Sequence, residues 1–217
     1  MALSYDTSGA ARVNAVGAAS DVTLAAAEAN EIAIIFTWLG TEEPTVTVDG
    51  NAATQIGTGI TFATSQKFRA WYYLNPPTSS VIYRGIEAVN KTEIHVLLYK
   101  GAKQSGQPDS IATLDDLNPN PFTISTTVVA ADSWLVSICR DYVSGAQTAG
   151  TGTTLRQAGI GASTGDSNTG YAAGSQSMGW VPDTANEDTA GIIVSIAPSV
   201  AAPVASFTPT LLTLGVG

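Results

Sequence analysis

The segment Gly161-Ala162-Ser163-Thr164-Gly165 has the G-x-S-x-G spacing of a hydrolase nucleophile elbow. Such an elbow needs a strand before the serine, a helix after it and a histidine further along, because the serine hydroxyl must be activated by a base within hydrogen-bond reach. The only histidine, His95, comes earlier, and a stretch rich in Gly, Ser and Thr follows where the helix should be. Ser163 is therefore read as part of a loop and His95 as a structural histidine within a strand, with no catalytic residue assigned. One histidine and one cysteine fall short of the three or four N or S ligands of a zinc site, so no metal and no cofactor are expected. Carboxylates occur as Glu42–Glu43, Asp115–Asp116 and Glu187–Asp188; glycoside hydrolysis would require two of them facing each other across a groove. The run Asp183 to Asp188 offers the oxygen ligands calcium takes without the spacing of a calcium loop, and reads as a solvated acidic loop. Asn90-Lys91-Thr92 has the form of a glycosylation sequon. Trp38 and Trp134 sit on apolar strand patterns, which leaves Trp180, in Ser177-Met178-Gly179-Trp180-Val181-Pro182, as the candidate glycan-stacking ring.

The elements that would position these residues are strands. From Phe68 to Leu74, Phe68, Ala70, Tyr72 and Leu74 alternate with Arg69, Trp71 and Tyr73, and Pro76-Pro77 ends the run; large side chains on both faces place this strand inside a sheet. Glu31 to Trp38 (EIAIIFTW) and Glu93 to Tyr99 are apolar on both faces in the same way. Asp49-Gly50 between short β runs predicts a hairpin with a type I′ turn. Ser80 to Arg84 is expected to return antiparallel to the aromatic strand, and Phe122–Val129 and Trp134–Arg140 to pair with each other. Asp109 to Leu117 reads as a short helix capped by Asp109 or Ser110. Gly191 to Ala197 (GIIVSIA) is the last clear strand. The expected core includes Ile34, Phe36, Tyr72, Val136 and Val194.

The 217 residues are 44% hydrophobic but only 12% charged, with a net charge of −9. No lysine or arginine follows Arg156, so a basic stripe for nucleic-acid phosphates is absent and anionic membrane surfaces are disfavoured. The opening MALSYDTSG has no basic and apolar signal regions, which predicts synthesis in the cytoplasm. The stretch 198–217 carries three prolines and no charge. It is expected to form an extended apolar C-terminal arm that docks on its own domain or on a neighbour by strand addition, with Phe207, Leu211, Leu212 and Leu214 as assembly contacts. Strands of 5–8 residues separated by turns predict an all-β fold. The architecture is an antiparallel, jelly-roll-like β-sandwich over residues 1–197, followed by that arm.

Several segments carry a family resemblance: Asn30 with EIAIIFTW, the hairpin VTVDGNAATQIG, the aromatic strand AWYYLNPPTSSVIYR, then VLLYKGA, SWLVSICR and GIIVSIAPS. Together they resemble phage-encoded and environmental jelly-roll-like β-sandwich proteins of virion surfaces, of the head decoration, head fibre or tail adhesin type. Asp49-Gly50 stands where such proteins often have Gly-Gly, which leaves the turn intact. The resemblance implies a non-enzymatic virion structural protein that decorates the capsid or forms a surface projection. The chargeless apolar arm and the low-charge surface predict a homo-oligomer, a trimer being favoured if the protein decorates threefold positions, in contact with other virion proteins. The alternative the resemblance offers is a carbohydrate- or receptor-binding module of a phage tail or adhesin, with a surface glycan as partner.

Overall fold

The computed structural model describes residues 2–38, 42–62, 66–87, 91–117, 119, 121–142, 147–158, 161–183 and 188–199, and every helix or strand among them is a β-strand. The first inner sheet runs β1 (Ser4–Val13), β9 (Thr92–Lys100), β3 (Ile32–Trp38), β7 (Gln66–Leu74), β6 (Thr54–Phe62). The first outer sheet runs β2 (Ser20–Leu24), β8 (Val81–Ile86), β4 (Thr45–Val48), β5 (Asn51–Ala52). A second inner sheet follows in the order β10 (Ser110–Leu117), β17 (Asp188–Ile196), β12 (Trp134–Asp141), β15 (Ser163–Asp166), β14 (Thr154–Gln157). The second outer sheet is β11 (Phe122–Val128), β16 (Gly174–Val181), β13 (Thr148–Ala149).

These orders are one topology used twice. Counting again from β10, the second half repeats the first strand for strand, with no counterpart of β5 among the described residues. In each half the chain crosses repeatedly between an inner and an outer sheet, which is the winding of a jelly roll. The expected all-β sandwich with jelly-roll topology is present, and it is present twice. Every ladder is antiparallel and stays within its own half. Across the halves, the isolated bridge between Ala102 and Pro198 is a backbone tie.

Three cores hold the four layers. Because successive side chains of a strand point to opposite faces, β3 sends Ile32, Ile34, Phe36 and Trp38 toward the second half and Ala33 and Ile35 toward its own outer sheet. The central core joins the two inner sheets: Phe62, Phe68, Leu97 and Tyr99 from the first meet Trp134, Val136, Ile138, Ile192, Val194 and Ile196 from the second. Val22, Val46, Trp71, Tyr83, Val96 and Leu98 fill the first sandwich. Phe122, Ile124, Leu135, Cys139, Met178 and Trp180 fill the second. Ile34, Phe36, Val136 and Val194 are buried as expected, and Tyr72 packs half-buried against the central core.

The hairpin forms as read: Asp49 (φ 49°) and Gly50 (φ 79°) both take the left-handed conformation a type I′ turn requires. Other local expectations are corrected. β8 pairs with β2 and β4 rather than with β7, and β11 pairs with β16 rather than β12, because jelly-roll connections cross between sheets. Residues 110–117 form β10 instead of a helix. The Asp109 carboxylate does cap backbone, but at the turn before β12, accepting from the N–H groups of Val129 (2.7 Å) and Ala130 (2.8 Å). Of the expected arm, Pro198 and Ser199 are described, with the Ser199 N–H donating to the Gly101 carbonyl at 2.7 Å. Phe207, Leu211, Leu212 and Leu214 lie outside the described residues.

Cys139 gives a direct probe of this packing. It is fully buried, and burial, with the nearby Asp141 charge, pushes its thiol well up. Thiols react as thiolates, so native protein at pH 8 is expected to resist a disulfide reagent such as DTNB and to react fully once unfolded. Rapid reaction in the folded state would contradict the burial of β12.

Candidate functional site

Charged residues on otherwise apolar strand faces mark the site. On β9 the face that carries Leu97 and Tyr99 also carries Glu93 and His95. On β12 the face of Trp134, Val136 and Ile138 ends in Arg140. Both faces point into the space between the halves, so their polar ends meet there. Glu93 Oε1 lies 2.7 Å from His95 Nε2, with both side chains sealed from solvent. The same oxygen accepts the Ala162 N–H at 3.3 Å, and Arg12, opposite Glu93 on β1, brings its guanidinium to 3.9 Å from Oε2.

Trp38 lies within this cluster. The Arg140 guanidinium stacks 3.6 Å from its ring centroid and Arg12 lies 5.6 Å away, both in range for cation–π attraction. Arg140 also donates to the Gly161 carbonyl. Burial pulls the Arg140 pKa down to about 10 despite the Glu93 charge that supports it. Gly161 is required by contact: a Cβ there would lie 2.1 Å from Trp38 Cζ2 and 2.4 Å from Glu93 Oε2.

A second polar tie lies at the other end of the same seam. Asp166 on β15 accepts from Tyr99 Oη at 3.0 Å and pairs with Arg156 of β14 through Nε at 2.8 Å and Nη2 at 3.0 Å. Arg156 in turn lies 4.1 Å over the Tyr5 ring and donates to Asn168 Oδ1 at 2.6 Å. Burial first, then the Asp166 charge, pushes the Tyr99 hydroxyl well above its usual range, so it stays a donor. Both clusters cross from one half to the other; the Glu93, His95 and Asp166 side chains are sealed from solvent, while Arg12, Arg156 and Asn168 reach the surface. Such geometry holds parts together: a general base must reach its substrate, and Glu93 and His95 are occupied with the seam.

Of the residues singled out in the sequence, His95 lies in the Glu93 cluster and the others fall elsewhere. Ser163 stands opposite Cys139 and so faces the second sandwich's core, whereas His95 stands opposite Phe36 and faces the central core. The second inner sheet separates them. Trp180, expected at the surface, is fully buried and donates from Nε1 to Ser137 Oγ at 2.8 Å, so no ring face is open to a sugar. Glu43 is bound by Arg69 Nε at 2.6 Å and by Lys67 at 3.2 Å, and Arg69 above all holds its carboxyl below the usual range. Asp115 is shifted the other way, by burial and then by the charges of Asp188 and Asp116. Of the acidic run 183–188, residues 184–187 lie outside the described residues, as does Asn90 of the sequon. Among the described residues no group of three or more His, Cys, Asp or Glu could hold a metal ion, and no helix is long and apolar enough to cross a membrane.

An open cleft of about 800 Å³ lies at the end of the molecule opposite the Glu93 cluster, bounded by the start of β1, the turn before β12, the turn after β15 and Pro198–Ser199. Among its described lining residues the one carboxylate is Asp132. Comparison with models of known protein families, with curated proteins and with solved structures finds no match for the chain.

Proposed function

We propose that this chain is a non-enzymatic structural protein of a phage virion, one that decorates the capsid or forms a surface projection. The observation that supports this reading is the seam. Of the residues with the chemistry of a catalyst, Glu93, Arg140 and Asp166 make contacts across the seam that joins two jelly rolls into one four-layered block, and His95 is paired with Glu93 inside it. A rigid, low-charge block suits repeated placement in an assembly, and jelly rolls recur in viral capsid proteins. That recurrence is an argument by analogy, since a fold hosts many functions. In this reading the protein is made in the host cytoplasm and forms a homo-oligomer, with a trimer favoured, that contacts other virion proteins.

The test is location. Antiserum raised against the purified protein, followed by gold labelling and negative-stain imaging of particles from the native source, is expected to mark the particle surface at regular positions. Protein recovered only from the particle-free fraction, with bare particles, would overturn the proposal.

A further inference from the structure

We propose that Lys100 and Asp6 join in an isopeptide cross-link that the folded chain makes by itself, with Glu31 carrying the protons. The three residues meet at one end of the first inner sheet. Lys100 closes β9, the strand between β1 and β3. On β1 the register skips from Tyr5 opposite Tyr99 to Thr7 opposite Leu98, so Asp6 is the extra residue of a bulge, and bulges re-aim the side chain they insert. Its Oδ1 stands 3.2 Å from Lys100 Nζ, with the two side chains 12% and 29% exposed, which withdraws the contact from most of the solvent. Glu31 comes from the other side of β9: it immediately precedes Ile32, which pairs with Tyr99, the neighbour of Lys100.

This third group is what turns an ion pair into a reactive site. Glu31 is fully buried, accepts the Glu28 N–H at 2.9 Å through Oε1, and has no hydrogen-bond donor on Oε2. It also shares a hydrogen bond with the Asp6 carboxyl, which two carboxyl groups make only when one holds a proton. Burial pushes the Glu31 carboxyl up; the Glu28 N–H pulls the other way, and the Asp6 charge adds to the rise. The resting form is the ion pair, since the Asp6 hydrogen bond raises the Lys100 pKa. Moving one proton along that contact gives a free amine and a neutral acid. The Nζ lone pair attacks Asp6 Cγ and a C–N bond forms. Glu31 takes a proton from the nitrogen and gives its own to the departing Oδ1, whose C–O bond breaks. Amide and water are the products, Glu31 is restored, and no oxidant or reductant is consumed. The oxygen that stays, Oδ2, accepts the Ala27 N–H at 3.1 Å. The fold holds amine against carboxyl throughout, which supplies the effective concentration that a condensation in water lacks. The bond ties the first strand of the first half to its last and is independent of the virion role.

The test is the intact mass of the full chain under denaturing conditions. A deficit of one water against the sequence is expected, and digestion should yield a branched peptide in which Lys100 is joined to Asp6. Lys100→Arg keeps the charge and cannot form this amide, so it is expected to show its full mass. Glu31→Gln, with the fold checked by tryptophan emission, keeps the lysine and the aspartate and is expected to show its full mass as well. A wild-type chain at full mass after prolonged incubation in the folded state would overturn the proposal. So would a deficit that persists in Lys100→Arg, because it would place the lost water elsewhere, as in a succinimide at Asp49-Gly50. The branched peptide appearing undiminished in Glu31→Gln would overturn the role given to Glu31.

Discussion

Truncating Phe36 to alanine is expected to destabilise the protein by about 3–5 kcal/mol, the range for a buried aromatic that leaves a cavity. Phe36 is fully buried at the middle of β3, between β7 and β9, and faces the second inner sheet across the central core. Its neighbours cannot close the gap cheaply, because protein interiors are packed as densely as organic crystals and the strands on both sides are held by ladders. Since the central core belongs to both halves, the loss should lower the urea midpoint for both together. Probes in the first sandwich (Trp71) and the second (Trp180) should therefore still report one coincident transition. A loss below about 1 kcal/mol, well under the range expected for a core aromatic, would show that this face of β3 does not carry the core.

Glu93→Ala is expected to cost a comparable amount, about 3–5 kcal/mol, for an electrostatic reason. Removing one member of a buried ion pair leaves the other charge without compensation in a poorly solvated place. Here the carboxylate serves His95, the Ala162 N–H and the Arg12 guanidinium, and its charge supports Arg140. Glu93→Gln keeps the volume and some of the hydrogen bonding, so it should fall between wild type and the alanine variant. Equilibrium unfolding of the three proteins gives the order directly. Equal stability of Glu93→Ala and wild type would mean that the cluster is not a latch.

The strands that decide the fold could be read because each is covered on both sides. β3, β9, β12 and β17 are apolar on both faces, and no loop or amphipathic helix looks like that. Pairing was harder to read. A hairpin rule links neighbours in sequence, whereas jelly-roll winding sends β8 and β11 to other sheets, and nothing local in Val81–Ile86 or Phe122–Val128 records it. Residues 109–117 read as a helix because Asp109 and Ser110 are good caps; ladder bonds to β17 make them a strand. The duplication is hidden for a related reason. Ile32–Trp38 and Trp134–Asp141 occupy equivalent places, yet one carries Phe36 and Trp38 where the other carries Ile138 and Arg140, so the repeat lies in the winding and not in the residues. The site left one readable trace: Glu93 and His95 share a strand face with Leu97 and Tyr99. Its partners Arg12, Arg140 and Gly161 come from distant strands and loops, and only the packing of the halves brings them together.

That each ladder closes within its own half has a consequence for how the protein is made. The first jelly roll is complete once Lys100 has been synthesised, while its inward face, with Ile34, Phe36, Phe68 and Leu97, has nothing to cover it until the second half follows. At about 5–20 residues per second, that apolar sheet waits on the order of ten seconds on the ribosome. Neighbouring nascent chains on one message present the same face at the same time, and two first halves meeting there would trap each other in place of their own second halves. The step most exposed to error is thus the interval between finishing one jelly roll and receiving the other, which makes it the step where a chaperone or slow dilution would raise the yield of folded protein.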